Sequence, residues 1–202
     1  MDVAASFHTA LFLAVNADAA SSAWLIGFAR VASTTLPAAF LGAIALALVA
    51  GPPGVRRVML EVIAAMTLAW LAARALQALW PQQRPFVQGL GLAWLPHAPS
   101  PSFPSTHATV AAAGAIGLRS LNFPVVARAA LLVACLIGWS RVCLGLHFPG
   151  DVLAGFAVGA AAAVFTSASF RPMPRRVRLP FLRGRRRLLR TLRSNGSAPG
   201  ST

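Results

Sequence analysis

VVARAALLVACLIGWSRVCLGLHFPGDVLAGFAVGAAAAVFTSASF, residues 125–170, reads as two apolar segments joined by a short bend that holds polar groups. The first runs from about Val125 to Leu144 and the second over 150–170, each near the roughly 20 residues that a membrane-crossing helix needs. Pro149 stands where a first-turn proline opens a helix. Only 12 uncharged residues separate Arg128 from Arg141, so the first segment crosses with arginines at its ends snorkelling to the interface. The second is rich in small residues, and Gly155 and Gly159 have the spacing that lets helix backbones approach closely.

The pattern continues toward the N-terminus. A span from Ser105 to Leu121 ends before Pro124, and one from about Val58 to Trp80 is stopped by Pro81. A further span lies within 23–50, with Arg30 near its start and Pro37 inside it, and Gly51-Pro52-Pro53-Gly54 makes a turn. Residues 3–15 are apolar but short, and Asn16 and Asp18 end them, which suits an interfacial helix better than a crossing. The fold expected is therefore all-α: a polytopic membrane helix bundle of five transmembrane spans plus an interfacial N-terminal helix, or six spans if that helix crosses.

Composition agrees. The chain has 202 residues, 57% hydrophobic and 11% charged, with a mean hydropathy of +0.68. A soluble domain carries about 25% charged residues, so an ordinary soluble globule is excluded, and so is disorder over most of the chain. All 18 basic residues are arginine. Residues 1–170 hold 8 of them against 4 acids, while 171–202 hold 10 and no acid. Two parts follow: a membrane-embedded domain over 1–170 and a basic, disordered cytoplasmic tail over 171–202. A nucleic-acid partner is one reading of such a tail, but its place just after a span favours anionic inner-leaflet lipids, at about 1 kcal/mol per Arg near the surface. MDVAASFHTA opens with an acid and no basic region, which speaks against a cleaved signal peptide. Cys135 and Cys143, eight apart in one helix, are too distant for a disulfide and read as buried small hydrophobes.

With alternating spans, one face collects Arg56, Arg57, Arg119, Arg128 and the tail arginines, 14 of the 18. The positive-inside rule puts that face in the cytoplasm. The connections 81–104 and 145–149 then face outward. Glu61, four residues after Arg57, is expected to pair with it. Trp24, Trp80 and Trp94 suit interface belts.

The outward face gathers Arg84, Ser105, Thr106, His107, Arg141, His147 and Asp151. Polar groups at membrane depth are costly and default to a functional reading. These types suit phosphoryl transfer without a metal. Arginine forks stabilise the charge on a phosphoryl group in flight, and Ser105 and Thr106 sit where a helix N-terminus presents free N–H groups to an anion. A neutral His147 oriented by Asp151 four residues on is a competent nucleophile, and His107 is a candidate acid for the leaving oxygen. No Cys/His cluster has zinc spacing.

Arg84-Pro85, then PSTH over 104–107, then SR-VCLGL-H-FPG-D over 140–151 resembles the three-part signature of the type-2 phosphatidic acid phosphatase superfamily. That signature reads KxxxxxxRP, PSGH and SRxxxxxHxxxD, and the resemblance covers roughly residues 60–165. It implies His147 as nucleophile, Asp151 as its partner and His107 as general acid. It also implies that Arg84, Arg141 and Ser105 bind the phosphoryl oxygens, with no cofactor and no metal. Two positions depart from it. The motif lysine falls on neutral Gln77, for which Arg74, one turn earlier on the same face, is the expected substitute. Thr106 stands where the signature has glycine.

RPFV (84–87), LPHAPSPSFPSTHAT (95–109) and GWSRVCLGLHFPGDVLAG (138–155) are most similar to small bacterial undecaprenyl-diphosphatases of the bacitracin-resistance type. The resemblance implies a multi-pass protein of the bacterial inner membrane that recycles the lipid carrier of cell-wall peptidoglycan, with its site on the outer face. His97 lies in the same outward loop, either as a headgroup contact or as a solvated loop histidine. The competing activity is a phospholipid phosphatase acting on phosphatidylglycerol phosphate, phosphatidate or lipid A. The rival from another class is a non-catalytic lipid-binding or lipid-translocating protein, which only Gln77 favours. Soluble haloperoxidases share a similar constellation, but the apolar composition argues against them.

Overall fold

A computed structural model describes residues 3–170. It has six α-helices: α1 (Val3–Val15), α2 (Ala23–Ala50), α3 (Pro53–Leu79), α4 (Thr106–Gly117), α5 (Pro124–Cys143) and α6 (Pro149–Ser169). Two short 3-10 turns, Pro85–Gln88 and Leu118–Leu121, complete the secondary structure, and no strand occurs among the described residues. The expected tail over 171–202 lies outside them.

Proline punctuates the chain as its chemistry requires. Pro53, Pro124 and Pro149 each open a helix, where a missing N–H costs nothing. α3 consequently starts at Pro53, five residues before the Val58 expected from hydropathy. Four helices, α2, α3, α5 and α6, are long and apolar enough to cross a membrane. The third expected span is shorter: α4 has 12 residues, and with the following 3-10 turn it reaches only about 26 Å. Its small residues put it inside the bundle, where it need not present a full apolar length to lipid. Ala108, Thr109, Ala111, Ala112, Ala113, Gly114, Ala115 and Gly117 are all buried.

α4 and α6 form the most extensive helix pair. Glycine on α6 is the reason. A Cβ at Gly159 would lie 2.2 Å from the Thr109 carbonyl oxygen, and one at Gly155 would lie 2.8 Å from that of Ser105. Gly159→Ala should therefore push α4 away at a cost of about 1–3 kcal/mol, read as a lower melting temperature in detergent. Gly42→Ala, with nothing within 4 Å of the new methyl, should leave the melting temperature unchanged. The apolar core joins Met59, Val62, Met66 and Ala69 of α3 to alanines of α4 and to Ile137 of α5.

The ends of the bundle differ. At one end Arg57 donates to the Phe170 carbonyl (3.5 Å) and Ser120 donates to Glu61 (3.3 Å). Glu61 is thus held across helices by a hydroxyl, and the expected Arg57–Glu61 pair is not formed. At the other end lie the long 80–105 connection and the α5–α6 bend. α1, about 20 Å long, packs against this second end: Phe12 is fully buried with Ala108, Val142 and Val152. Asn16 staples it there. Its amide donates to the carbonyls of Leu92 and Cys143 (both 3.0 Å) and its oxygen accepts the Leu92 N–H (2.8 Å). Gly145 (φ +75°) admits this approach, since a Cβ there would lie 2.1 Å from the Leu92 carbonyl oxygen.

Trp24 and Trp80 are exposed, as interface residues would be. Trp94 is not: its indole donates to the Ala17 carbonyl (2.7 Å), and it packs beside Leu144 and Leu146, so it belongs to the bundle's cap. Both cysteines are free, and Cys135, expected to be buried, is exposed on the face of α5 that also exposes Leu131 and Leu132.

Candidate active site

The α5–α6 bend carries His147 and the first turn of α6 carries Asp151, both almost fully buried. Nδ1 of His147 stands 3.4 Å from Asp151 Oδ2 and 3.2 Å from Ser102 Oγ. Ser102 itself donates to Asp151 Oδ2, and that same oxygen accepts the Phe148 N–H at 3.0 Å. With the serine proton committed to the carboxylate, its lone pair accepts from Nδ1–H. Nε2 accepts from Arg84 (3.0 Å), so the partners on both sides select the Nδ1–H tautomer. Burial pushes the His147 imidazole down to about 4 against the pull of Asp151. It is therefore neutral at pH 7, with its lone pair on Nε2.

Ser102 was not visible in the motifs. It lies 45 residues before His147 in a Pro-rich connection, where a serine is unremarked, and only the folded chain inserts it between imidazole and carboxylate. Ser102→Ala should leave only the long Asp151 contact to hold the Nδ1 side of the ring, opposite Arg84 on Nε2. We expect kcat to fall by roughly ten- to a hundredfold with KM little changed, while Ser102→Thr, which keeps the hydroxyl, retains most of the rate.

The two motif arginines are used differently. Every N–H of Arg84 has a protein partner: Nε donates to the Ser100 carbonyl (2.8 Å), NH1 to the Leu146 carbonyl and His147 (both 3.0 Å), and NH2 to Ser100 Oγ and the Pro101 carbonyl (both 3.2 Å). It clamps the 100–101 loop onto the bend that carries His147. Arg141 spends one group on Ser33 of α2 (2.7 Å), while its Nε and other NH2 are buried without a partner among the described residues. Ser105 Oγ is buried and unpartnered too. Three orphaned donors, on the start of α4 and the end of α5, cost too much to bury for nothing. An anion seated between them would satisfy all three. Ser33, on a span with no motif, was likewise missed.

The Ser105 N–H donates to the Asp151 carbonyl (3.0 Å), which ties the start of α4 to that of α6. His107, next along α4, is exposed and lines an apolar cavity of about 200 Å³ with Pro37, Phe40, Met66 and Thr106. A larger groove between α2 and α3, about 490 Å³, shares Leu41, Met66 and Val110 with it. His97 is half-buried on the outer loop, 2.9 Å from the Ala98 carbonyl, and burial lowers its pKa from the ordinary value. Gln77 is buried and bonds both Arg74 and Thr106. Among the described residues no group of three or more His, Cys, Asp or Glu is arranged to hold a metal.

An all-helical membrane bundle with a buried His–Asp pair beside unpartnered donors suits a membrane phosphatase. The chain belongs to the PAP2 superfamily, whose pattern matches residues 58–173, and it is a lipid phosphatase of that superfamily. It is 31% identical over 155 residues to YbjG of Escherichia coli (strain K12), which carries the name undecaprenyl-diphosphatase, covering 76% of this chain and 78% of that one. It is 37% identical over 81 residues to the undecaprenyl-diphosphatase BcrC of Bacillus subtilis (strain 168), 38% of this chain and 39% of that one. The fold is similar to that of LpxE from Aquifex aeolicus, with a TM-score of 0.65 at 23% identity, covering 79% of this chain and 93% of the other. It is equally similar to a PAP2-type phosphatidylglycerolphosphate phosphatase from Bacillus subtilis, with a TM-score of 0.67 at 22% identity, covering 86% and 90%.

Proposed function

We propose that this protein removes the terminal phosphate of undecaprenyl diphosphate through a phospho-His147 intermediate. His147 Nε2 attacks the terminal phosphorus, the P–O bond to the lipid phosphate breaks, and His107 protonates the departing oxygen. Water then cleaves the P–N bond, giving its proton back to His107 and releasing inorganic phosphate. Arg141 and Ser105 hold the equatorial oxygens, and Asp151 stabilises the imidazolium that forms. For attack, Arg84 has to move its NH1 proton from Nε2 to a phosphoryl oxygen, which keeps that donor satisfied.

The observation that carries the lipid substrate is the apolar cavity opening beside His107 and running into the α2–α3 groove, room for a hydrocarbon chain attached to a phosphate at the site. The prenyl diphosphate is favoured by the long match to the Escherichia coli relative. A second reading, lipid A dephosphorylation, is favoured by a 38% identity over 74 residues to a lipid A 1-phosphatase of Rhizobium johnstonii. In the favoured reading the site faces outward from a bacterial inner membrane, because Arg56, Arg57, Arg119 and Arg128 lie at the opposite end of the bundle. Residues 171–202 then form a cytoplasmic tail that binds anionic lipid.

The test is phosphate release by purified protein in detergent with EDTA present, across undecaprenyl diphosphate, phosphatidylglycerol phosphate, phosphatidate and lipid A. Undecaprenyl diphosphate should give the highest kcat/KM, undiminished by EDTA. A higher value for lipid A would establish the second reading, and dependence on added metal would overturn the mechanism.

A further inference from the structure

The two positions at which this chain departs from the superfamily signature touch one another. Gln77 is 4% exposed, and its amide nitrogen spends one proton on the Pro104 carbonyl (3.0 Å) and the other on Thr106 Oγ1 (2.9 Å). Its oxygen accepts from Arg74 NH1 (2.9 Å). The amide has one orientation only. Turning it over would set its oxygen against the Pro104 carbonyl and its NH2 against the Arg74 guanidinium.

Thr106 Oγ1 accepts from Gln77, so its own proton is free, and it donates to nothing among the described residues. The residue opens α4, between the orphaned Ser105 hydroxyl and His107, and lines the cavity beside the site. Its hydroxyl is a loaded donor next in sequence to the unpartnered Ser105 hydroxyl, on a residue that lines the cavity shared with His107.

Each departure requires the others. A glycine at 106 would leave a buried Gln77 proton without a partner. A lysine at 77 would put an ammonium against the Arg74 guanidinium one turn away. We infer that Arg74, Gln77 and Thr106 together replace the lysine of the signature: Thr106 donates to the phosphoryl group, Gln77 aims it, and Arg74 supplies the positive charge one layer back. Thr106 is then a substrate-binding residue and Gln77 a positioning residue. Arg74, expected to reach phosphate itself, acts through the amide. This rests on the phosphatase reading of the site, though not on which lipid is its substrate.

The experiment uses the full chain in detergent and two readouts, KM and kcat on a lipid phosphate that it hydrolyses and the inhibition constant of inorganic phosphate. Thr106→Ser should behave as wild type. Thr106→Val, equal in shape but without the hydroxyl, should raise KM and the phosphate inhibition constant by roughly tenfold, with kcat changed much less. Gln77→Leu should do the same, and Gln77→Leu/Thr106→Val should be no worse than either alone, since both remove one aimed donor. Thr106→Val indistinguishable from Thr106→Ser would overturn the inference, as would single effects that multiply in the double variant. If Gln77→Leu does not fold, the Thr106→Val and Thr106→Ser comparison decides alone. A wild-type protein that hydrolyses lipid A and not undecaprenyl diphosphate would refute the proposed substrate while leaving these comparisons intact.

Discussion

His147→Ala should abolish turnover, lowering kcat by about 10⁴-fold or more on any lipid phosphate. The expectation follows from the imidazole's two sides. Nδ1–H is held by Ser102 and Asp151, and burial keeps the ring neutral, so Nε2 carries an available lone pair. Among the described residues no other nucleophile is placed this way, and without the ring no phosphohistidine forms for water and His107 to hydrolyse. The fold should survive, because His147 donates to a serine and a carboxylate that remain bonded to each other, and Asp151 keeps the Phe148 N–H. Rapid quench of wild type should trap a phosphoenzyme that is acid-labile and stable to alkali, the signature of a P–N bond. A variant within tenfold of wild-type kcat, or a trapped species stable to acid, would remove the nucleophilic role.

Arg141→Met should separate activity from stability. Two of the guanidinium's donor groups are buried with no partner among the described residues, and the residues that follow it, Val142, Cys143 and Leu144, are buried and apolar. Burying such a charge costs several kcal/mol, and replacing it with an apolar side chain of similar volume is often stabilising by about 1–4 kcal/mol. The melting temperature should therefore rise. kcat/KM should fall by about 10²–10³-fold, because the fork that meets developing charge on the equatorial oxygens is lost. Arg141→Lys should fail nearly as badly. An ammonium cannot hold Ser33 and present two parallel N–H groups at once. Orthovanadate or inorganic phosphate should raise the melting temperature of wild type by filling the orphaned donors, and should not raise that of Arg141→Met. A variant that loses stability along with activity would show that Arg141 is structural. Arg84→Ala is the contrast: all its donors serve the protein, so both properties should fall together.

Much of this was legible in the chain before folding. Hydropathy and proline placement located the helices to within a few residues, and α3 began early only because Pro53 is itself a good first-turn residue. Alternation of the spans sufficed to gather Arg84, Ser105, His107, Arg141, His147 and Asp151 at one end. α4 was harder to read, because a buried run of alanines and glycines is as apolar as a full crossing at little more than half its length.

The sequence by itself determined the class of fold, the face on which polar groups meet, and the kinds of chemistry they can do. These are properties of hydropathy, periodicity and spacing, which are local along the chain. Only the tertiary structure decided which donors are spent and which are free. Arg84 and Arg141 are alike as motif arginines, yet one is fully bonded and the other is open. Ser33 and Ser102 carry no motif, yet one anchors Arg141 and the other bridges the His–Asp pair. Gln77 and Thr106 looked like two separate departures and are one hydrogen-bonded pair. Those contacts join residues 16 to 108 positions apart. A hydrogen bond depends on ångström-scale distance and on direction, and neither can be read along the chain until packing has brought its two ends together.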